Sequence, residues 1–382
     1  MSEIKVNSIK GVAASTAALT INNTDGTCTA NLTNRTNRRL TINGAMTIAQ
    51  RGASSTTNGY GSVDRFSVNY GGTDENPTQQ QVDVASGTTP YNLGLTKALK
   101  VTNGNQTSGA GAADYVEIRH RIEAQDIRNS GWNYLSSSSF ITLSFYVKSS
   151  VAQVFYGYLT TRDGTRRSYP FSTGSLSADT WTKITKTIPG NSGLTFDNDN
   201  GAGLDIFIDP FYGTDYTNNS VSLDQWNTHS SGNAFPDMTS TWYTTDDATF
   251  EITGVQLEVS DHATDFEHRT FAQEIALCRR YCQVYVSPRL RGVLAQSTQF
   301  QRMGFSFLEE MRTAPSAVWG GTQDVYAGSG TASITGQAAV YSNTHSYETD
   351  STTSGSLAVG AGSSVCAYIG GNEATLTLSA EL

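Results

Sequence analysis

What most constrains this chain is a recurrent pattern: short runs of β-branched and aromatic residues, each closed by a turn sequence, with no helical period between them. Residues 140–147 (FITLSFYV) are the clearest run, with Phe145 and Val147 on the face opposite Tyr146. Similar runs occur at 115–122, 154–160, 180–188, 204–208 and 248–259, and Asp163-Gly164, Pro189-Gly190, Asn200-Gly201 and Ser231-Gly232-Asn233 lie between them. A strand that alternates every second residue buries one face, and many such strands spaced by turns are accommodated by two sheets packed face to face. The expected fold class is all-β, a jelly-roll β-sandwich. Composition points the same way: Ser, Thr and Asn compete for backbone hydrogen bonds inside a helix, and only 15% of residues are charged, against about 25% in an average domain.

The same pattern divides the chain. Residues 1–44 carry strands too short to fold alone, with Leu-Thr-Ile-Asn at 19–22 and again at 40–43. They read as an arm that binds partners or as a flexible tail. Residues 45–265 form the expected sandwich. One segment breaks the β pattern: Phe271, Ile275, Cys278, Cys282 and Tyr285 are spaced 4, 3, 4 and 3, an apolar stripe on a helix running from Thr270 to Tyr285. Thr270 with Gln273 three residues on reads as a capping box, and Pro288 marks the stop beyond Tyr285. Residues 266–288 are therefore a junction and helix, and 289–382 a smaller C-terminal β domain.

Charge and cysteine usage narrow the function. With 25 Lys and Arg against 34 Asp and Glu, the formal net charge is −9, the wrong sign for a protein that holds nucleic-acid phosphates. No run approaches the 18 or more apolar residues of a membrane span, and the N-terminus has no apolar leader core, so neither nucleic acid nor membrane insertion is expected and synthesis is assigned to a cytoplasm. The four cysteines, Cys28, Cys278, Cys282 and Cys366, are too few for a disulfide framework. Cys278 and Cys282, with His262 and His268 upstream, lack the paired spacing of a zinc site and read as core thiols. Residues 197–201 (DNDNG) resemble a calcium loop, but the glycine comes fifth rather than sixth, so they read as a polar turn. No phosphate loop, nucleophile elbow or metalloprotease helix is present, and no cofactor or metal is expected.

Two groups of residues are candidates for function. Tyr212, Tyr216, Trp226, Trp242 and Tyr243 lie among Asn, Ser and Thr in a stretch poor in aliphatics. Exposed rings beside amides and hydroxyls suit a saccharide, because a ring covers the sugar's C–H face while polar groups take its hydroxyls. The competing reading is that these rings cover the edge of the core. Glycan hydrolysis would need two facing carboxylates; Asp205, Asp209, Asp215 and the pair Asp246/Asp247 are available, and nothing in the sequence pairs them.

Several strings together give a resemblance to a known family. Residues 42–52 (INGAMTIAQRG) with 60–66 (YGSVDRF), 143–149 (LSFYVKS), 179–190 (DTWTKITKTIPG), 252–259 (ITGVQLEV), 263–281 (ATDFEHRTFAQEIALCRRY) and 311–315 (MRTAP) resemble, in order, motifs of bacteriophage tail-fibre and virion structural proteins, many from phages of marine bacteria and cyanobacteria. The chain departs from the pattern at Asp265, often Pro in the family, and at Cys282, often Tyr. The resemblance implies a sandwich like that of carbohydrate-binding modules and a non-enzymatic virion protein. In that reading its N-terminal arm docks to the phage tail, copies associate as a homotrimer, the jelly roll forms the body, and the aromatic loops or the C-terminal domain contact host surface polysaccharide. The implied location is the virion tail, after assembly in the host cytoplasm. A purely structural virion role is the alternative, and a glycan depolymerase the next. Phe266, Glu267, His268 and Arg269 read as a junction that locks the last sandwich strand to the helix, with Glu267 paired to Arg269 or to a neighbouring chain and His268 on a backbone carbonyl.

Overall fold

The computed structural model describes residues 38–286 continuously, and outside them residues 6–9, 19–21, 24, 28–30, 289–297, 300–321, 323–327, 330–354, 364–368 and 375–382. Three short strands, β1 (Ser8–Ile9), β2 (Leu19–Ile21) and β3 (Cys28–Ala30), form a small antiparallel sheet in the arm. The body follows as twelve strands: β4 (Ser54–Ser55), β5 (Phe66–Gly71), β6 (Thr78–Asp83), β7 (Lys97–Thr102), β8 (Tyr115–Glu123), β9 (Phe140–Ser149), β10 (Val154–Thr161), β11 (Arg167–Ser175), β12 (Thr182–Pro189), β13 (Ala202–Tyr212), β14 (Asn227–Thr228) and β15 (Thr249–Glu258). They make two six-stranded sheets, ordered β14-β11-β10-β13-β8-β5 and β12-β9-β15-β7-β6-β4. The chain passes repeatedly between the two sheets, the jelly-roll arrangement expected from the sequence.

Alternation places the core between the sheets. Phe145 and Val147 are fully buried inside it, as are Phe155, Phe171, Ile206, Ile208 and Phe250 from strands of both sheets. Phe155 and Phe250 meet across the gap at 4.8 Å, and Phe145 meets Phe171 at 6.3 Å. Three one-turn helices, α1 (Thr89–Asn92), α2 (Ala124–Arg128) and α3 (Thr241–Thr244), fill corners of the sandwich.

Residues 38–44, read from sequence as the end of the arm, lie against β15. Leu40 N–H donates to Leu257 O at 2.8 Å, and Val255 N–H donates to Gly44 O at 2.9 Å. The pairing is possible because β15 shifts register between Thr253 and Gln256, where Gly254 adopts φ +64°. Gly44 comes so close that a Cβ there would overlap Val255 O.

The helix is shorter than its stripe suggests. Helix α4 (Phe271–Arg279) has the expected Thr270–Gln273 capping box, but it buries Glu274 and Cys278 and leaves Phe271 exposed. Cys282 and Tyr285 are not on it. They belong to strand β16 (Cys282–Val286), because the β-prone run Cys-Gln-Val-Tyr-Val finds a full antiparallel partner near the end of the chain. The remaining strands are β17 (Arg289–Ser297), β18 (Phe300–Ser306), β19 (Ser316–Gly320), β20 (Asp324–Ala327), β21 (Gly330–Ser342), β22 (Ser346–Thr353), β23 (Ser364–Tyr368) and β24 (Thr375–Ser379). Six of them close a barrel, β17-β18-β22-β21-β20-β23, while β16, β24 and β19 make a separate three-stranded sheet. The junction segment thus contributes a strand to the C-terminal β region.

Candidate functional site

The outer face of the β14-to-β5 sheet departs from the usual solvated, hydroxyl-rich face of a sandwich. Register assembles it in rows. Tyr156 pairs with Asp209, Tyr158 with Phe207 and Thr160 with Asp205; on the next strand Phe207 pairs with Arg119 and Asp205 with Arg121. Glu117, two residues before Arg119, pairs with Asn69 of β5. One end of the face is therefore acidic, the middle aromatic and the other end basic.

The acidic and aromatic half is covered. Residues 213–239 fold back over it, closed on themselves by Asn218 N–H to Phe235 O at 2.9 Å and Ala234 N–H to Tyr216 O at 2.8 Å. Phe235 is fully buried, stacked on Tyr156 at 5.2 Å and on Tyr212 at 5.3 Å. Beneath it Tyr158 stacks on Phe207 at 4.3 Å, and Tyr212 donates to Glu117. Asp209 is fully buried, and neither carboxylate oxygen has a hydrogen-bond partner among the described residues. Burial, and then the Glu117 charge, push its pKa well up, so it is held as the neutral acid. Burial raises Glu117 as well, against the bonds from Tyr212 and Asn69.

The basic half is partly exposed: the Arg119, Arg121 and Arg162 side chains keep 19%, 18% and 23% of their surface accessible. Arg121 and Arg162 both reach Asp205, through Nε at 3.2 Å and 2.8 Å. Arg119 lies over the Phe207 ring at 5.8 Å, with Glu117 at 3.7 Å. Arg166, in the turn between β10 and β11, is half-buried, and burial lowers its pKa, with the Arg162 charge adding to the effect. His229 bonds Ser168 Oγ at 2.7 Å. Burial first, then Arg166 and Arg162, depress its pKa to about 4.

The five aromatic residues singled out in the sequence do not form one platform. Trp242 and Tyr243 are fully buried in the core: the Trp242 indole N–H donates to Thr249 O at 3.1 Å, and Tyr243 stacks on Phe211 at 4.3 Å. Neither ring can meet a ligand, because helix α3 turns both inward. Trp226 is half-buried against Tyr169 and donates to Pro189 O at 2.7 Å. Tyr212 and Tyr216 do come together, 5.4 Å apart, Tyr212 on the sheet and Tyr216 on the covering loop. Of the carboxylates, Asp205 and Asp209 share the outer face, whereas Asp246 and Asp247 are exposed beyond α3. Arg119, Arg121, Arg162 and Arg166 were missed, although the alternation Val116, Ile118, Ile122 against Glu117, Arg119, Arg121 marks the side of β8 that Arg119 and Arg121 occupy; no such signal marks Arg162 and Arg166 in the β10–β11 turn.

The junction residues meet one another and the 38–44 segment. Glu267 accepts the Arg39 N–H at 2.8 Å and lies 4.0 Å from Arg269, while Phe266 lies under the Arg39 guanidinium at 4.8 Å. His268 bonds the Leu93 carbonyl at 2.8 Å. Cys278 and Cys282 are free and buried. The 197–201 segment is a turn in which Gly201 N–H donates to Asp199 at 2.9 Å. No helix among the described residues is long and apolar enough to cross a membrane.

No family model matches the chain, and no curated protein does. Among solved structures, it is similar to the N-terminal cellulose-binding domain of Cellulomonas fimi β-1,4-glucanase C (12% identity, 56% of this chain and 98% of that one, TM-score 0.28). It is also similar to the family 11 carbohydrate-binding module of Clostridium thermocellum in complex with a β-1,3-1,4-mixed-linked tetrasaccharide (13% identity, 55% and 96%, TM-score 0.25). A third similarity is to the N-terminal tandem CBM22 domain of Paenibacillus barcinonensis Xyn10C (9% identity, 91% and 100%, TM-score 0.28).

Proposed function

We propose that the chain is a non-enzymatic virion protein of the bacteriophage tail-fibre type, whose sandwich contacts host-surface glycans with the open half of the β14-to-β5 sheet. The observation that carries this reading is the outer face itself: half-buried guanidinium groups, two of them (Arg121 and Arg162) fixed by hydrogen bonds to Asp205, set beside an aromatic floor, where a sandwich ordinarily presents flexible solvated side chains. Fixed donors suit sugar hydroxyls because little rotamer entropy is lost on contact. The ordered motif strings support the virion assignment. In this reading the N-terminal arm docks to the tail and copies associate as trimers, so that weak single sites gain from multivalency.

Binding without catalysis is the better reading of the carboxylates. Asp205 is neutralised by two arginines and Asp209 is sealed under Phe235, so neither is placed as an acid or a nucleophile beside an accessible sugar. The test is binding of the full chain to an array of bacterial surface glycans, with light scattering for mass and a reducing-end assay on each glycan bound. The expected outcome is retention of at least one glycan class, a trimer mass and no released reducing ends. No glycan retained would favour a purely structural virion component, a reading that the burial of Trp242 and Tyr243 favours. Released reducing ends would make the protein a depolymerase.

A further inference from the structure

We infer that the open half of this face selects an anionic sugar, one carrying a carboxylate or a sulfate ester, by a guanidinium cluster of Arg119, Arg121, Arg162 and Arg166. This rests on the glycan-binding reading above and names the ligand class for the same site.

The cluster is unbalanced in charge. Arg121, Arg162 and Arg166 act on one another's charge around Asp205, which is bound by Arg121 and Arg162, and Arg119 lies one register row away over the Phe207 ring. Arg119 has Glu117 at 3.7 Å, but Glu117 is drawn toward its neutral form by burial and is committed to Tyr212 and Asn69. Arg166 makes no side-chain hydrogen bond or ion pair among the described residues, and its Nε is buried without a partner, as is Nε of Arg119. A chain of net charge −9 that collects uncompensated cations on one face loses folding energy to their mutual repulsion. An anion bound there would remove that cost.

Geometry favours a planar or tetrahedral oxyanion on a small polar body. The guanidinium fork donates two parallel hydrogen bonds to a carboxylate or sulfate, which ammonium groups do not reproduce. Asp205 holds Arg121 and Arg162 in place, so their remaining donors are oriented before a ligand arrives. His229, kept neutral beside Arg162 and Arg166, reports on the site: an anion between those residues would raise its pKa from about 4. A long polyphosphate chain is the less favoured occupant, because the acidic remainder of the protein repels a ligand that runs beyond the patch.

The experiment uses the full chain with oligogalacturonate and its carboxyl-reduced form, dextran sulfate and dextran, and a single-stranded oligonucleotide, each titrated at low and at high salt. The acidic member of at least one pair should bind about ten- to hundredfold more tightly than its neutral partner, and that ratio should shrink with salt. Arg166→Gln should collapse the ratio toward one while leaving the unfolding transition in place, since Arg166 holds no other side chain. A Lys97→Gln control on the other sheet should keep the ratio. Preference for carboxyl over reduced, or for sulfate over dextran, separates the two oxyanion sources. If acidic and neutral glycans bind alike, or Arg166→Gln changes nothing, the anion inference is overturned and the glycan reading stands. If no glycan binds in either form, both fall. Oligonucleotide binding as tight as that of the best acidic glycan also overturns it.

Discussion

Replacing Glu274 by Ala should destabilise the protein far more than a surface carboxylate would. Glu274 is in the first turn of α4 and almost fully buried, and it accepts the Arg39 guanidinium and the Asn43 N–H, with Arg269 3.8 Å away. The Arg39 side chain is itself fully buried; burial lowers its pKa, and its Nε and Nη1 already lack hydrogen-bond partners among the described residues. Removing the carboxylate leaves a cation in low dielectric with Glu267 as the remaining carboxylate acting on it among the described residues, a situation that costs about 3–5 kcal/mol. With a urea m-value of about 3 kcal/mol/M, the unfolding midpoint falls by about 1–1.7 M. Tryptophan fluorescence follows it, since Trp132 and Trp242 are buried in the sandwich core. The double variant Arg39→Met/Glu274→Leu should recover most of the loss, because apolar replacement of a buried pair is often neutral or stabilising. A Glu274→Ala variant within about 1 kcal/mol of the parent, or a double variant no better than the single one, would refute the claim that an isolated buried charge dominates this junction.

Three further outcomes concern other buried titratable groups. Glu381→Gln should cost about 3 kcal/mol, because Glu381 pairs with the fully buried Arg65 and with Arg51 at 3.2 Å; hydrogen exchange should rise first in β24. Asp209→Asn should flatten the pH dependence of stability. A carboxyl whose folded pKa is raised contributes stability below its unfolded value near 4 and loses it as pH rises toward the folded value, at up to about 1.4 kcal/mol per pH unit. Unfolding midpoints between pH 4.5 and 8 test this, and parallel curves for parent and variant would count against a neutral Asp209. Cys278 and Cys282 should resist alkylation in the native protein and react in urea, as mapped by peptide mass, because burial pushes both thiols well up; native labelling at Cys278 would contradict the packing of α4, and at Cys282 that of β16.

How much of this was legible in the sequence depends on the range of the interaction. Alternation is local, so Phe145 and Val147 inward and Tyr146 outward followed from residues 140–147 alone, as did the Thr270–Gln273 cap. The end of α4 was not local. A stripe of period 3.5 continues through Cys282 and Tyr285, but those residues pair with Ser379 and Leu376, and that distant ladder outcompetes another helical turn. The Phe266–Arg269 junction was visible as a charged string, yet its main partner, Arg39, lies 228 residues from Glu267 along the chain. The aromatic stretch was recognisable by composition, but composition carries no direction. Trp242 turns inward on a one-turn helix, while Tyr212 reaches the outer face through a register shift between Ile208 and Phe211.

Charge placement also determines why only half of the outer face remains available. The covering segment descends across the acidic and aromatic rows, is tied to the sheet by Asp224 N–H to Pro170 O at 2.8 Å, and then becomes the edge strand β14 beside Arg167 and Ser168. From β14 it returns over the sheet and sets Phe235 against Tyr156, Tyr158 and Tyr212, in the acidic and aromatic rows. Apolar Phe235 can be laid over Asp209 because that acid is neutral; laid over Asp205, it would strip water from two guanidinium groups with one carboxylate between them, which burial does not compensate. The charge pattern of β8 and β13 therefore limits how far the loop can cover the sheet. An Arg121→Met/Asp205→Leu/Arg162→Met variant removes that limit. It should fold at least as stably as the parent while losing the anion preference, and a variant that kept the preference would place the ligand site elsewhere.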